Sequence, residues 1–266
     1  MSFGLDKFNI LHLKRGKVEE GGSVSLLGGG VIDYLVEGNM SDTSSTSTVQ
    51  FLMGTDDMSS EDIIDRFSQH SNQYEQAMLG AGYRGPTEIA RTIKELFSRN
   101  GNDVYILDVA AGTGLCADTL YSHGFFKIDA LEPSTRMLDQ ARKKGIYSRY
   151  IVDSLGENAL DIANDTYDAV TMAAFSTVIL RKLPLSAFEE LIRIVKPGKY
   201  IIPLSGYIIN NAPYNLFPAD GDVKAALFRE NMKTLESQGK WEHVELRRFP
   251  HAVFREGGAI SVHRVL

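Results

Sequence analysis

Val104-Tyr105-Ile106-Leu107-Asp108-Val109-Ala110-Ala111-Gly112-Thr113-Gly114 reads as a strand that empties into an acid and a glycine turn. The four hydrophobic residues Val104 to Leu107 suit a strand covered on both faces. Gly112 and Gly114 let backbone come close to a ligand and let the turn take unusual φ angles. Leu115 to Gly124 then reads as a short helix whose free N–H groups face the same ligand. A strand, a glycine turn and a helix in this order build a cradle for a nucleotide-like group.

The spacing is Asp-x-Ala-x-Gly-x-Gly and departs from the Gly-x-Gly-x-x-Gly of dinucleotide sites. In those sites the turn seats a pyrophosphate. Here Asp108 stands in the turn, where it would repel phosphate and suit a cation or an amino group. Phe126 to Leu131 reads as the next strand, closed by Glu132, 24 residues after Asp108. A carboxylate there can accept both hydroxyls of a ribose. A third strand, Arg149 to Val152, ends at Asp153, which can receive an adenine amino group. Open α/β sheets bind ligands at this edge. The ligand implied is an adenosine without phosphates but with a positive centre, a description that S-adenosylmethionine fits.

The run Asp108 to Gly114 resembles the class I S-adenosylmethionine-dependent methyltransferases. Lys196-Pro197-Gly198, ahead of a hydrophobic strand, is similar to their common ending of the fourth helix. Gln73-Tyr74-Glu75-Gln76 through Tyr83-Arg84-Gly85-Pro86, and Gln140-Ala141-Arg142 through Gly145-Ile146-Tyr147, resemble one branch of that family. The resemblance covers roughly residues 60 to 266. One departure is Ala110, where many members have glycine; alanine is a frequent substitute there.

The resemblance implies an α/β, Rossmann-like fold: a seven-stranded, mostly parallel sheet, a C-terminal antiparallel hairpin, and helices on both faces. It also implies a cofactor set of Tyr74, Arg84, Asp108, Ala110, Gly112, Gly114, Glu132, Pro133, Met137, Asp153, Ser154 and Leu155. In that set Tyr74 or Arg84 holds the methionine carboxylate, for which a guanidinium is the matching fork. Met137 would lie against the adenine, and Ser154-Leu155 would offer backbone to it.

Composition narrows the classes. With 266 residues and 43% hydrophobic content, the chain can bury one sizeable core. A net charge of −6 argues against general nucleic-acid binding, which favours a basic face. The single cysteine, Cys116, excludes an intrachain disulfide and suits a reducing compartment. No apolar run approaches the roughly 18 residues of a membrane span. The start, Met-Ser-Phe-Gly-Leu-Asp-Lys, lacks the pattern of a secretory signal. A cytoplasmic monomer without membrane contact is expected.

Residues 1–57 stand apart, with Gly28-Gly29-Gly30 and Ser41 to Thr48 giving them the composition of a flexible extension. A folded domain is expected over 58–266, starting at a helix N-cap near Ser59-Ser60-Glu61-Asp62. Ile63, Ile64, Phe67 and Tyr74 form a helical apolar stripe, and Pro86 opens a helix through Phe97. Beyond the glycine turn, strands and helices alternate. Strand four is expected at Asp168 to Ala173, a helix at Pro184 to Val195, and strand five at Tyr200 to Leu204. A long helix follows at Asp222 to Lys240, then a hairpin of His243 to Phe254 with Ala259 to Val265.

Cys116 sits near a helix N-terminus, where a thiol can be activated, but just past a glycine turn it is expected to pack behind the ligand. The six histidines show no metal-ligand spacing, and His70 alone is a candidate base. Asp168 is expected to cap a strand start. Ala173 to Thr177 lacks the Asn/Asp-Pro-Pro-Tyr/Phe element of many amino-methylating enzymes and a Pro-Cys nucleophile. The expected activity is therefore in-line methyl transfer to a small molecule or a protein side chain. Phe175, Ser176, Tyr207, Asn210, Asn211 and Tyr214 are the candidate acceptor residues. A cofactor-binding protein without activity, or an NAD-type Rossmann enzyme, are the alternatives; Asp108 speaks against the second.

Overall fold

The computed structural model describes residues 51–52, 58–98, 101–173, 177–198, 207–213, 217, 221, 223–253 and 256–266. Seven strands form one sheet: β1 (Tyr105–Val109), β2 (Lys127–Leu131), β3 (Arg149–Ile151), β4 (Ala169–Met172), β5 (Tyr207–Pro213), β6 (Trp241–Val253) and β7 (Glu256–Val265). Their spatial order is β3-β2-β1-β4-β5-β7-β6. The first five strands pair in parallel, and β7 runs antiparallel to both β5 and β6. This is the fold class expected, with the hairpin at the C-terminus.

Alternation along β1 decides which residues face which helices. Leu107 and Val109 point into a core with Phe188 and Leu191 of α7 (Leu185–Ile194), Phe228 and Leu235 of α8 (Ala226–Ser237), and Trp241. Ile106 points the other way, against Ile89 and Ile93 of α3 (Gly85–Leu96), Leu120 of α4 (Leu115–Ser122), and Leu138 and Ala141 of α5 (Thr135–Lys144). The sheet is thus covered on both faces, which is why its central strands are continuous apolar runs. Asp108 shares the parity of Ile106 and turns toward the α4–α5 side.

Two further helices precede the sheet, α1 (Ser60–Gln69) and α2 (Tyr74–Gly80). Ser59 caps α1 by accepting the Asp62 amide at 3.1 Å, with Glu61 and Asp62 in the first turn. Ser134 caps α5 through the Met137 amide at 3.2 Å, and Gly145 ends that helix at φ 64°. α6 (Thr177–Lys182) follows β4.

Three boundaries differ from expectation, the first being β7, which starts at Glu256 rather than Ala259. The described fifth strand is Tyr207–Pro213, pinned by its ladder with β4 from Ala169↔Tyr207 to Met172↔Asn210; Tyr200 to Leu204 lie outside the described residues. The long helix opens as a 3-10 turn at Val223–Ala225 and becomes α-helical at Ala226. Of residues 1–57, only Phe51 and Leu52 are described. Both are helical, and Leu52 is buried.

Candidate functional site

Register brings the strand ends to one line. Val109 pairs with Leu131 and with Met172, and Leu131 pairs with Ile151. The next residues, Ala110, Glu132, Val152 and Ala173, therefore leave the sheet side by side, at the edge where open α/β sheets take ligands. A cavity of about 230 Å³ lies there. Its sheet-side wall comprises Ala110, Gly112, Glu132, Pro133, Met137, Asp153, Ser154, Leu155 and Ala173. Its other walls are Ile63, Ile64 and Phe67 of α1, Tyr74 of α2, and Ile179, Lys182, Leu183 and Pro184 around the end of α6.

Glu132 organises the floor. One carboxylate oxygen accepts the Gly112 amide at 3.0 Å and the other accepts the Ser134 amide at 2.9 Å. A carboxylate offers about four lone-pair sites. Two are used by these amides, and two remain for the hydroxyls of a vicinal diol. Burial pushes the Glu132 carboxyl up to about 7, against the Ser134 and Gly112 amides that favour its charged form.

The turn itself is strained in one place and tight in two. Ala110 adopts φ 56°, a region that only glycine enters freely. A Cβ on Gly112 would lie 3.3 Å from the Met137 Cε, and one on Gly114 (φ 84°) would lie 3.1 Å from the Tyr147 Cε2. Asp153 is braced within its own loop, accepting from the Ser154 amide at 2.8 Å and from Asn158 at 3.2 Å.

The cavity is roofed by α1, which is fastened to the sheet layer. Ser68 and Ser134 share a hydroxyl hydrogen bond of 2.6 Å, and Gln140 donates to Asn72 at 2.6 Å. Lys144 pairs with Glu75 of α2 at 2.7 Å. Lys182 Nζ donates to the Met58 carbonyl at 3.0 Å beside the start of α1. Tyr74, half-buried, has its phenol pushed well up by burial and then by Glu132, Glu75 and Asp108. It stays neutral and can donate a hydrogen bond into the cavity.

Nine of the twelve expected cofactor residues line this cavity; Asp108, Gly114 and Arg84 do not. Asp108 is buried behind the turn, accepting from the Tyr147 phenol at 2.7 Å and the Thr171 hydroxyl at 3.0 Å. Gly114 is the N-cap of α4. Arg84 pairs at 2.9 Å with the buried carboxylate of Glu88, which Arg91 joins from the other oxygen. The α1 and α6 walls went unassigned in the sequence, since an apolar helical stripe looks the same over a core or a ligand.

The other candidates divide as follows. Cys116 is buried and its thiol is pushed well up by burial, then by Asp108, so it is no thiolate nucleophile. His70 bonds the Arg66 carbonyl at 2.8 Å, packs at a tilt against Phe51 and does not line the cavity. Asp168 accepts the Tyr105 amide at 2.9 Å and pairs with Lys196 at 2.7 Å, joining β1 to the start of β4. Tyr207, Asn210 and Asn211 fall within β5 rather than after it; Phe175, Ser176 and Tyr214 lie outside the described residues. Among the described residues no group of His, Cys, Asp and Glu side chains could hold a metal. None of the described helices is long and apolar enough to cross a membrane.

These features fit an adenosyl group without phosphates. Three acids, Glu132, Asp153 and Glu157, line the cavity, and among the described lining residues the one cation is Lys182, away from the glycine turn. The Gly112 amide, which a phosphate would need, is already taken by Glu132.

A sequence model of a methyltransferase domain matches residues 106–198. The human methyltransferase-like protein 27 is 28% identical over 176 residues, a span that covers 66% of each chain. A solved S-adenosylmethionine-dependent methyltransferase from Leishmania major superposes with a TM-score of 0.57 at 14% identity, over 80% of this chain and 85% of that one. At that identity the likeness speaks to the fold alone. In its strand order, its glycine turn and the acid at the end of β2, the chain is similar to the class I S-adenosylmethionine-dependent methyltransferases.

Proposed function

We propose that the protein transfers the methyl group of S-adenosylmethionine to a small-molecule or protein acceptor by in-line displacement. The observation that carries this reading is Glu132: a buried carboxylate, fixed by two amides, with two lone pairs left over beside the glycine turn. Bound there, S-adenosylmethionine supplies an activated methyl group on a sulfonium. The chain's own part is to bind and orient. Glu132 takes the ribose hydroxyls, Asp153 and the Ser154-Leu155 backbone take the adenine edge, and Met137 and Leu155 supply apolar faces. Positioning of this kind can account for roughly 7–11 kcal/mol of a barrier. The roof of Ile63, Ile64 and Phe67 shields the site from water.

The domain responsible is residues 58–266, and we propose that it works as a monomer in the cytoplasm. The acidic net charge and the exposed mouth rimmed by both Lys182 and Glu157 support a small or protein acceptor over a nucleic acid. The test is methyl transfer from donor labelled in its methyl group, using cell lysate fractionated by size. Label passing to a fraction of defined mass supports the activity and gives the acceptor class. Donor binding without label transfer in any fraction favours a cofactor-binding protein without activity.

A further inference from the structure

The acid of the glycine turn is held from behind. Asp108 is 1% exposed, and both its oxygens are taken by neutral hydroxyls, Tyr147 at 2.7 Å and Thr171 at 3.0 Å. Tyr147 lies in the connection between α5 and β3 and is itself buried. Its ring fills the space behind Gly114, where a Cβ would meet it at 3.1 Å. One side chain therefore backs the glycine turn and fixes the acid of the turn.

The groups that face Asp108 are Tyr147, Cys116 of α4, Glu132 at the end of β2, Tyr74 of α2 and Tyr83 ahead of α3. None is a cation, and no ion pair of Asp108 occurs among the described residues. Burial pushes its carboxyl up to about 6, while the hydrogen bonds from Tyr147, Thr171 and Cys116 pull it back. Near neutral pH it is thus an anion without a counter-charge, in a medium where charges are weakly screened. A cationic ligand above the turn would supply the missing charge.

We infer that Tyr147 is a positioning residue of the donor site: by holding Asp108 as an anion behind the turn, it makes the site prefer the sulfonium donor over its neutral thioether product. This rests on the donor reading above. Donor and product share the adenosine and the amino-acid end and differ in the charge at sulfur. Glu132 bonds the ribose of both alike, but its charge also favours the sulfonium, with its own titration at about 7. The shift of the lower midpoint on removing the Tyr147 hydroxyl, which does not bond Glu132, isolates Asp108.

The experiment is calorimetric titration of the full chain with S-adenosylmethionine and with S-adenosylhomocysteine from pH 5 to 8.5. In the natural chain the preference for the donor rises severalfold as pH rises through about 6. Tyr147→Phe keeps the ring behind Gly114 and removes the hydroxyl, so the midpoint of that rise moves up by about one pH unit. Thr171→Val moves it the same way and serves alone if Tyr147→Phe does not fold. A donor-to-product ratio that does not change with pH overturns the proposal. So does equal weakening of both ligands at every pH in the variants, the behaviour of a merely structural residue. Failure of the natural chain to bind either ligand overturns the donor reading instead.

Discussion

Glu132 accepts the Gly112 amide at 3.0 Å, so the acid at the end of β2 and the glycine turn after β1 form one unit. Twenty residues separate them in the chain. The bond spends one oxygen's lone pair on fixing the turn and leaves the carboxylate aimed at the cavity.

Removing that carboxylate has two consequences. Glu132→Ala frees two buried amides and takes away the acceptor for the ribose. Each hydrogen bond to a charged group contributes about 1.5–3 kcal/mol. Affinity for S-adenosylhomocysteine is expected to fall at least tenfold by calorimetry, with a lowered melting temperature.

Ala110 holds φ 56° at a place where glycine would be unstrained. A left-handed conformation costs an L-residue roughly 1–2 kcal/mol, and the extra freedom of glycine in the unfolded chain returns part of that. Ala110→Gly is expected to stabilise the protein by about 0.5–1 kcal/mol in urea unfolding, without weakening ligand affinity.

At Gly114 the same logic runs the other way. Its φ of 84° and the Tyr147 ring 3.1 Å from any added Cβ leave no room. Gly114→Ala is expected to destabilise by about 1–3 kcal/mol. Gly112→Ala meets only the flexible end of Met137 at 3.3 Å, although its φ of 55° adds strain. There the loss of ligand affinity should exceed what the loss of stability explains, as unfolding and titration of the two variants side by side would show.

The ligand-free chain should respond to pH through Glu132 and Asp108, raised by burial to about 7 and about 6 from 4.5 and 3.8. A carboxyl with a higher pKa in the folded state binds its proton more tightly there. Its stabilising contribution is full below the unfolded value and is lost as pH rises through the folded one. The slope approaches about 1.4 kcal/mol per pH unit for each group inside its own window, about 4 to 6 for Asp108 and about 4.5 to 7 for Glu132. Urea unfolding at pH 5.5 and pH 8 should show less of this loss in Glu132→Gln than in the natural chain.

Arg84 offers a separate check, since its guanidinium is engaged with Glu88 outside the cavity. Arg84→Ala is expected to leave product affinity within about threefold. The pair is half-exposed on the arginine side and Glu88 keeps Arg91, so stability should fall by no more than about 1 kcal/mol. A loss of affinity of a hundredfold would place Arg84 on the ligand.

Much of the fold could be read from local pattern. The run from Val104 to Leu107 is apolar on both parities because helices cover both faces of β1, and that signature needs no distant information. Strand five shows the limit. Tyr200 to Leu204 and Tyr207 to Ile209 are both short apolar runs, and it is the ladders with Ala169 to Met172 and with Gly258 to Arg264 that mark Tyr207–Pro213 as a strand. At the site, Glu132 was legible from its spacing. The partners of Asp108 were not, as Tyr147 and Thr171 lie 39 and 63 residues away. For Arg84 the signal was present in Glu88, four residues on along the same helical face.

The central claim is that the cavity at the strand ends takes a phosphate-free adenosyl group. Calorimetric titration of the full chain with S-adenosylmethionine, S-adenosylhomocysteine and NAD tests it most directly. One-site binding of the first two with no measurable binding of NAD is the predicted result. Tight binding of NAD, with no heat from S-adenosylhomocysteine, would contradict it.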